Sequence, residues 1–303
     1  MTGRRDIEFA ADDGVRLRGW FYPARGTSGP APAVVLAAGF AMLKEQYLDR
    51  YAERFAAAGF GALVCDPRNF GASDGEPRQE ANPWQQIEDL RHAVTYAGLL
   101  PEVDARRIGV WGTHYGGAHA VVLGASDPRV RAVVAQAPAI DGISSGRRRI
   151  PMDRWPNVAR AFAADRAARM GGEPAALRPI VGHPAERPVF GGDAAREFFL
   201  AAAALAPGWR NEVTVRTGEW SRMYDAGRYA ELVAPVPLLM VLGDGDTLSG
   251  TDLQLDAYQR AREPKRLVLY RGDHHDAYLG RFEETSAAAV DFLGHHLAKE
   301  DDR

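Results

Sequence analysis

Residues 108–124 read IGVWGTHYGGAHAVVLG, and the order of residue types here decides the fold. The β-branched and aromatic run from Ile108 to Trp111 predicts a strand. Gly112, Gly116 and Gly117 bracket a sharp turn, and the small residues after them predict a helix. An open parallel sheet uses this order to hold one side chain above the carboxyl ends of its strands, at the mouth of a crevice. The residue held there is His114.

On the amino-terminal side, residues 6–22 alternate around Asp12-Asp13-Gly14 as a hairpin, and AVVLAAGF (33–40) is an apolar strand of the doubly covered kind. A helix over about Glu45 to Ala58, a buried strand Phe60 to Cys65, and a helix from about Pro83 to Leu100 follow. Asn82 is the N-cap of the last and Pro83 its first residue. The central strand covers 107–112, and VRAVVAQAP (130–138) is the next strand. On the carboxyl side come PVPLLMVLGDGD (235–246), a helix over Thr251–Arg262, RLVLYRGDHHDAY (266–278) and a closing helix over about Glu283 to Leu297. Lys299 to Arg303 read as a solvated tail. Strand alternating with helix predicts an α/β fold with a doubly wound, mostly parallel sheet.

The alternation fails between Ala139 and Ala234, where only Asn157–Met170 and Asp193–Leu205 are convincingly helical. Nearly a hundred residues are too many for a loop. Residues 139–234 are therefore expected to be a mainly helical cap, inserted into a core made of 1–138 and 235–303. Its aromatic residues, with no basic stripe among them, predict a largely apolar pocket for a medium-sized organic molecule.

Bulk properties narrow the partners. A net charge of −3 gives no reason to expect nucleic acid or an anionic membrane. The longest mostly apolar run, Ala31 to Leu43, is too short to span a bilayer, and no signal-like stretch follows Arg4 and Arg5. A cytoplasmic protein is expected, with a small-molecule substrate as partner and a homodimer compatible with the composition. The single cysteine, Cys65, excludes an internal disulfide and sits in a strand as a packing residue. Ser73, in the turn segment DPRNFGASDG, reads as structural.

The turn GTHYGGAH, the segment DHHDAY and the long insertion between strands resemble the α/β-hydrolase superfamily over about 260 residues. The nearest likeness is to its dienelactone-hydrolase-like and Xaa-Pro-peptidase-like esterases, which carry a helical insertion. In that family the nucleophile elbow reads Gly-x-Ser-x-Gly, and the catalytic residues follow the chain order nucleophile, acid, histidine. Here the elbow position holds His114 instead of serine.

Carried over by position, the resemblance implies Asp246 as the acid and His274 as the base, with Asp244 and His275 as rivals. The oxyanion donors it implies are the backbone N–H groups of Tyr115 and Phe40. Ala38 stands where relatives often have histidine. His119, one turn into the elbow helix, is expected to pack. No cofactor is implied, and no metal is needed to account for two histidines and an aspartate.

A histidine at the elbow cannot form the stable acyl-serine ester, but a neutral imidazole is an acid/base group near pH 7. The expected enzyme is hydrolase-like (esterase or lactonase) or a nonhydrolytic lyase. It acts at a carbonyl, ester or lactone by water-mediated hydrolysis, elimination or cyclisation. The alternative is a catalytically inactive protein that binds a small ligand.

Overall fold

The computed structural model describes residues 3–298, so the expected tail from Lys299 to Arg303 lies outside the described residues. The chain opens with β1 (Arg5–Ala10) and β2 (Arg16–Tyr22), an antiparallel hairpin around the Asp12–Gly14 turn. Then come β3 (Ala31–Ala37), α1 (Leu48–Ala57), β4 (Gly61–Cys65), α2 (Pro83–Gly98), β5 (Val103–Thr113), α3 (Tyr115–Ser126) and β6 (Val130–Gln136). Asn82 caps α2, its side chain accepting from the Trp84 amide at 3.1 Å.

The chain leaves the sheet after β6. It passes through α4 (Gly142–Arg149), α5 (Trp155–Met170), β7 (Leu177–Arg178), α6 (Asp193–Ala203), β8 (Val213–Thr214), α7 (Val215–Met223) and a 3₁₀ segment, Ala226–Leu232. It returns through β9 (Leu238–Gly243), α8 (Thr251–Arg260), β10 (Lys265–Tyr270) and α9 (Phe282–His296). The insertion holds more helix than its sequence predicts, because α4 and α7 join the two expected helices. It also contains a two-stranded antiparallel ribbon, β7 with β8.

The main sheet has eight strands in the order β1-β2-β4-β3-β5-β6-β9-β10. Only β1–β2 and β2–β4 are antiparallel; every other neighbour pair is parallel. Helices α1 and α9 cover one face and α2, α3 and α8 the other. The central parts of β3, β5, β6 and β9 are therefore apolar, with Val35, Val110, Trp111, Val133, Val134 and Leu239 fully buried. Because β5, β6, β9 and β10 run parallel, their carboxyl ends lie along one edge. The loops after β5, β9 and β10 carry His114, Asp246 and His274 to that edge.

Ser73 is structural: its hydroxyl donates to the Asp66 carbonyl at 2.7 Å and accepts the Arg18 amide at 2.9 Å. Cys65 ends β4, and burial pushes its thiol pKa well up, so it is a poor nucleophile. Among the described residues no helix is long and apolar enough to cross a membrane.

Candidate active site

The turn between β5 and α3 is as tight as its glycines require. A Cβ on Gly112 would stand 2.1 Å from the Gly116 carbonyl oxygen, and one on Gly116 would stand 2.2 Å from that of Ala37. His114 occupies the apex at φ 51° and ψ −112°, a conformation that residues with side chains rarely adopt. Its amide donates to the Gln136 carbonyl at 2.9 Å, and its carbonyl accepts from the amides of Ala118 and Ala139. The backbone at the apex is thereby tied to β6, to the segment after it and to α3.

Asp246 follows β9 by three residues and is nearly fully buried. Its Oδ1 accepts the amides of Leu248 and Ser249, each at 2.9 Å. Its Oδ2 accepts Nδ1–H of His274 at 2.8 Å and the side-chain amide of Gln254 at 3.1 Å. Burial alone would push this carboxyl pKa up. The His274 ring and the N–H donors outweigh burial and hold it well below the usual range, so Asp246 is ionised.

The His274 loop is braced as well. The Asp273 amide donates to Asp276 and the His275 amide donates to Asp273, each at 2.8 Å. Thr113, next to His114, donates its hydroxyl to that of Tyr278 at 2.7 Å, which ties the histidine loop to the elbow. Tyr51 stacks on Trp111 and donates to the Ala277 carbonyl at 2.7 Å.

The rings of His114 and His274 meet edge to face, with centroids 4.8 Å apart. The rivals are engaged elsewhere. His275 stacks on Phe198 with centroids 4.2 Å apart, and Asp244 accepts the Gly272 amide at 2.9 Å. His119 packs as expected, its ring nitrogens bonded to the Tyr224 hydroxyl and to Gln86, and burial lowers its pKa to about 3.

The hydrogen bonds place the protons. His274 gives its Nδ1 proton to an ionised carboxylate, which selects the tautomer whose lone pair, in the neutral ring, is on Nε2. His114 Nδ1 lies 3.3 Å from the Phe40 amide, whose nitrogen can only donate; the His114 proton is therefore on Nε2. Burial, then the nearby rings and Arg149, lower the His114 pKa well below its ordinary value, so this ring is neutral.

The Phe40 amide thus departs from the expectation that it stands free as an oxyanion donor. The histidine ring is long enough to reach the amide from the elbow, whereas a serine hydroxyl would leave the space open. Tyr115, the first residue of α3, has an amide with no acceptor within its own helix.

Above the site lies a cavity of about 1060 Å³ whose walls come mainly from the insertion. His274 and His275 line it, and the ring of Phe190 meets that of His114 edge to face, centroids 5.8 Å apart. Trp209 holds the insertion to the first loop, its indole N–H donating to the Ala41 carbonyl at 2.9 Å.

The lining is less apolar than the sequence suggests. Ile150, Val158, Phe162 and Val189 share it with Arg149, Arg178 and Arg222. Those arginines are scattered along the chain and form no stripe, so only the fold brings them together. Gln254, which also donates to the Pro138 carbonyl, is a second residue that sequence reasoning missed. It lies one turn inside α8, facing Asp246. Among the described residues no group of three or more His, Cys, Asp or Glu is arranged to hold a metal ion.

A family model described as X-Pro dipeptidyl-peptidase (S15 family) matches residues 13–276. The chain is 34% identical over 296 residues to the polyketide transferase GrgF of a Penicillium species, spanning 97% of each chain. It is 32% identical over 302 residues to the thiohydrolase AneE of Aspergillus aculeatus, spanning 97% of this chain and 93% of that one. The crystal structure of the α/β hydrolase GrgF from Penicillium sp. sh18 superposes with a TM-score of 0.86 at 33% identity, covering 98% of this chain and 99% of that one. The complex of DcsB with its substrate analogue gives a TM-score of 0.87 at 28% identity, covering 98% and 100%. The match to the family model, the extent of these relatives and the sheet order agree: the chain belongs to the X-Pro dipeptidyl-peptidase (S15) family and has the α/β-hydrolase fold.

Proposed function

We propose that the protein is an enzyme acting at the thioester or ester carbonyl of a medium-sized, polyketide-like acyl chain, by general-base catalysis without a covalent acyl-enzyme. The observation that carries this reading is the proton arrangement at the sheet edge. His274, its Nδ1 held by ionised Asp246, lines the cavity, and neutral His114, with its proton on Nε2, meets that ring edge to face. The names thiohydrolase and polyketide transferase among the relatives support the substrate class.

In the proposed step, water or a substrate hydroxyl loses its proton to His274 Nε2 as its oxygen bonds to the carbonyl carbon. The imidazolium that forms is paired with Asp246. The carbonyl oxygen becomes an oxyanion and accepts from His114 Nε2–H and the Tyr115 amide. In this arrangement the Phe40 amide acts through the ring, polarising His114 from Nδ1. Collapse of the adduct breaks the bond to sulfur or oxygen, and the leaving group takes the proton back from His274. Attack by water gives hydrolysis, and attack by an internal hydroxyl gives ring closure.

Intact-protein mass spectrometry during turnover of a short acyl thioester tests the step. Thiol release with no acyl adduct supports it, and an adduct on the protein contradicts it.

A second reading has its own support. His114 fills the place where a substrate oxygen would meet the Phe40 amide, as an inactive ligand-binding protein would allow. Under that reading the acyl compound binds and no thiol is released.

A further inference from the structure

Three arginines meet in the cavity from separate elements: Arg149 at the end of α4, Arg178 in β7 and Arg222 near the end of α7. Among the described residues none of the three has a carboxylate within 4 Å, although Asp193 and Asp273 share the cavity lining and other arginines of the insertion are paired. Arg148 takes Asp252 in a two-pronged pair, Arg169 takes Asp165, and Arg166 takes Glu219. Glu186, also in the lining, accepts the His183 amide.

The guanidinium of Arg222 lies over the rings of Trp155 and Phe162, at 4.9 and 5.0 Å, and its Nη1 is buried without a partner. Arg178 spends one nitrogen on the carbonyls of Arg187 and Pro188 and leaves Nε buried and unbonded. Arg149 lies 5.5 Å from the ring of Phe190, the same ring that meets His114 edge to face. Arg149 lines the cavity and is itself exposed.

Like charges gathered in one cavity are costly, and buried donors left unbonded add to the cost. Burial, then the neighbouring Arg178 and Arg149, lower the Arg222 pKa to about 10. An oxyanion would relieve both costs at once, and the planar guanidinium fork suits carboxylate and phosphate oxygens.

We propose that Arg149, Arg178 and Arg222 form a binding subsite for a permanent oxyanion of the substrate, a carboxylate or a phosphate, held in the cavity beside the reacting carbonyl. The proposal rests on the acyl-substrate reading only in assigning the anion to the substrate. Two sources share this chemistry: a carboxylate on the acyl chain, or a phosphate on the thiol that carries it. The subsite also changes the expected substrate from a wholly apolar molecule to one with an apolar body and a charged end.

Calorimetric titration separates the sources and does not depend on turnover, so failure of the catalytic reading leaves it intact. The probes are suberate against its dimethyl ester, and coenzyme A against pantetheine. At least one anionic probe should bind about 10-fold or more tighter than its neutral partner, as expected for hydrogen bonds between charged groups. Arg222→Gln and Arg178→Gln should remove that preference, and Arg222→Lys should restore part of it, with melting temperatures checking that each variant is folded. Equal binding of charged and neutral probes, or a preference that survives both Gln substitutions in folded protein, would overturn the proposal.

Discussion

The Phe40 amide donates to Nδ1 of His114 across 3.3 Å, so the ring at the elbow occupies the position from which a backbone N–H would otherwise meet a substrate oxygen. One hydrogen bond thus fixes the tautomer of His114. It also makes the site sensitive to what stands at position 114.

Replacing the ring by a hydroxyl, His114→Ser, frees the Phe40 amide and puts a nucleophile on the elbow beside the Asp246–His274 pair. That variant should react with a fluorophosphonate probe and gain weak activity on activated esters, while the native protein stays unlabelled. Labelling of native protein at a serine would mean that the nucleophile lies elsewhere.

Asp246→Asn should lower turnover by about 10³- to 10⁴-fold, because an amide no longer fixes the His274 tautomer or stabilises the imidazolium. Gln254→Ala, which removes one donor to the same carboxylate, should cost much less, about 10-fold. Steady-state rates of the two variants check the order; equal losses would show that Gln254 does more than position the carboxylate.

Acid sensitivity follows from the buried neutral histidines. His119 and His275 have pKa values lowered by burial to about 3 and about 4, against an ordinary value of 6.5. Between about pH 6.5 and those values the unfolded chain binds protons that the folded chain refuses, so stability falls as pH falls. His119 alone should cost about 2 kcal/mol on going from pH 7 to pH 5. Urea unfolding at the two pH values should give a smaller drop for His119→Gln than for the native chain. An unchanged drop would show that His119 is not held neutral.

The site was legible where chemistry coincides with strand ends. His114 and Asp246 stand just after buried apolar runs and His274 just after the half-exposed edge strand, and parallel strands must bring those ends to one edge. The insertion was harder to read. Helix α4 begins at Asp141, whose side chain accepts the Ser144 amide at 2.8 Å, and ends in Arg147–Arg149, where positive charge suits a helix carboxyl terminus. Its sequence looks irregular because the inner face turns Gly142, Gly146 and Arg149 to a cavity rather than to a core. Helix α7 hides in the same way behind Gly218, Ser221 and Arg222. The Phe40–His114 bond depends on a side-chain rotamer, which no residue pattern records.

The most direct test of the account is the rate of thiol release from an acyl thioester by His114→Ala compared with the native protein. The account predicts a fall of about 100- to 10,000-fold, the range expected on removing a positioned acid/base or oxyanion donor. Unchanged turnover would contradict a catalytic role for His114.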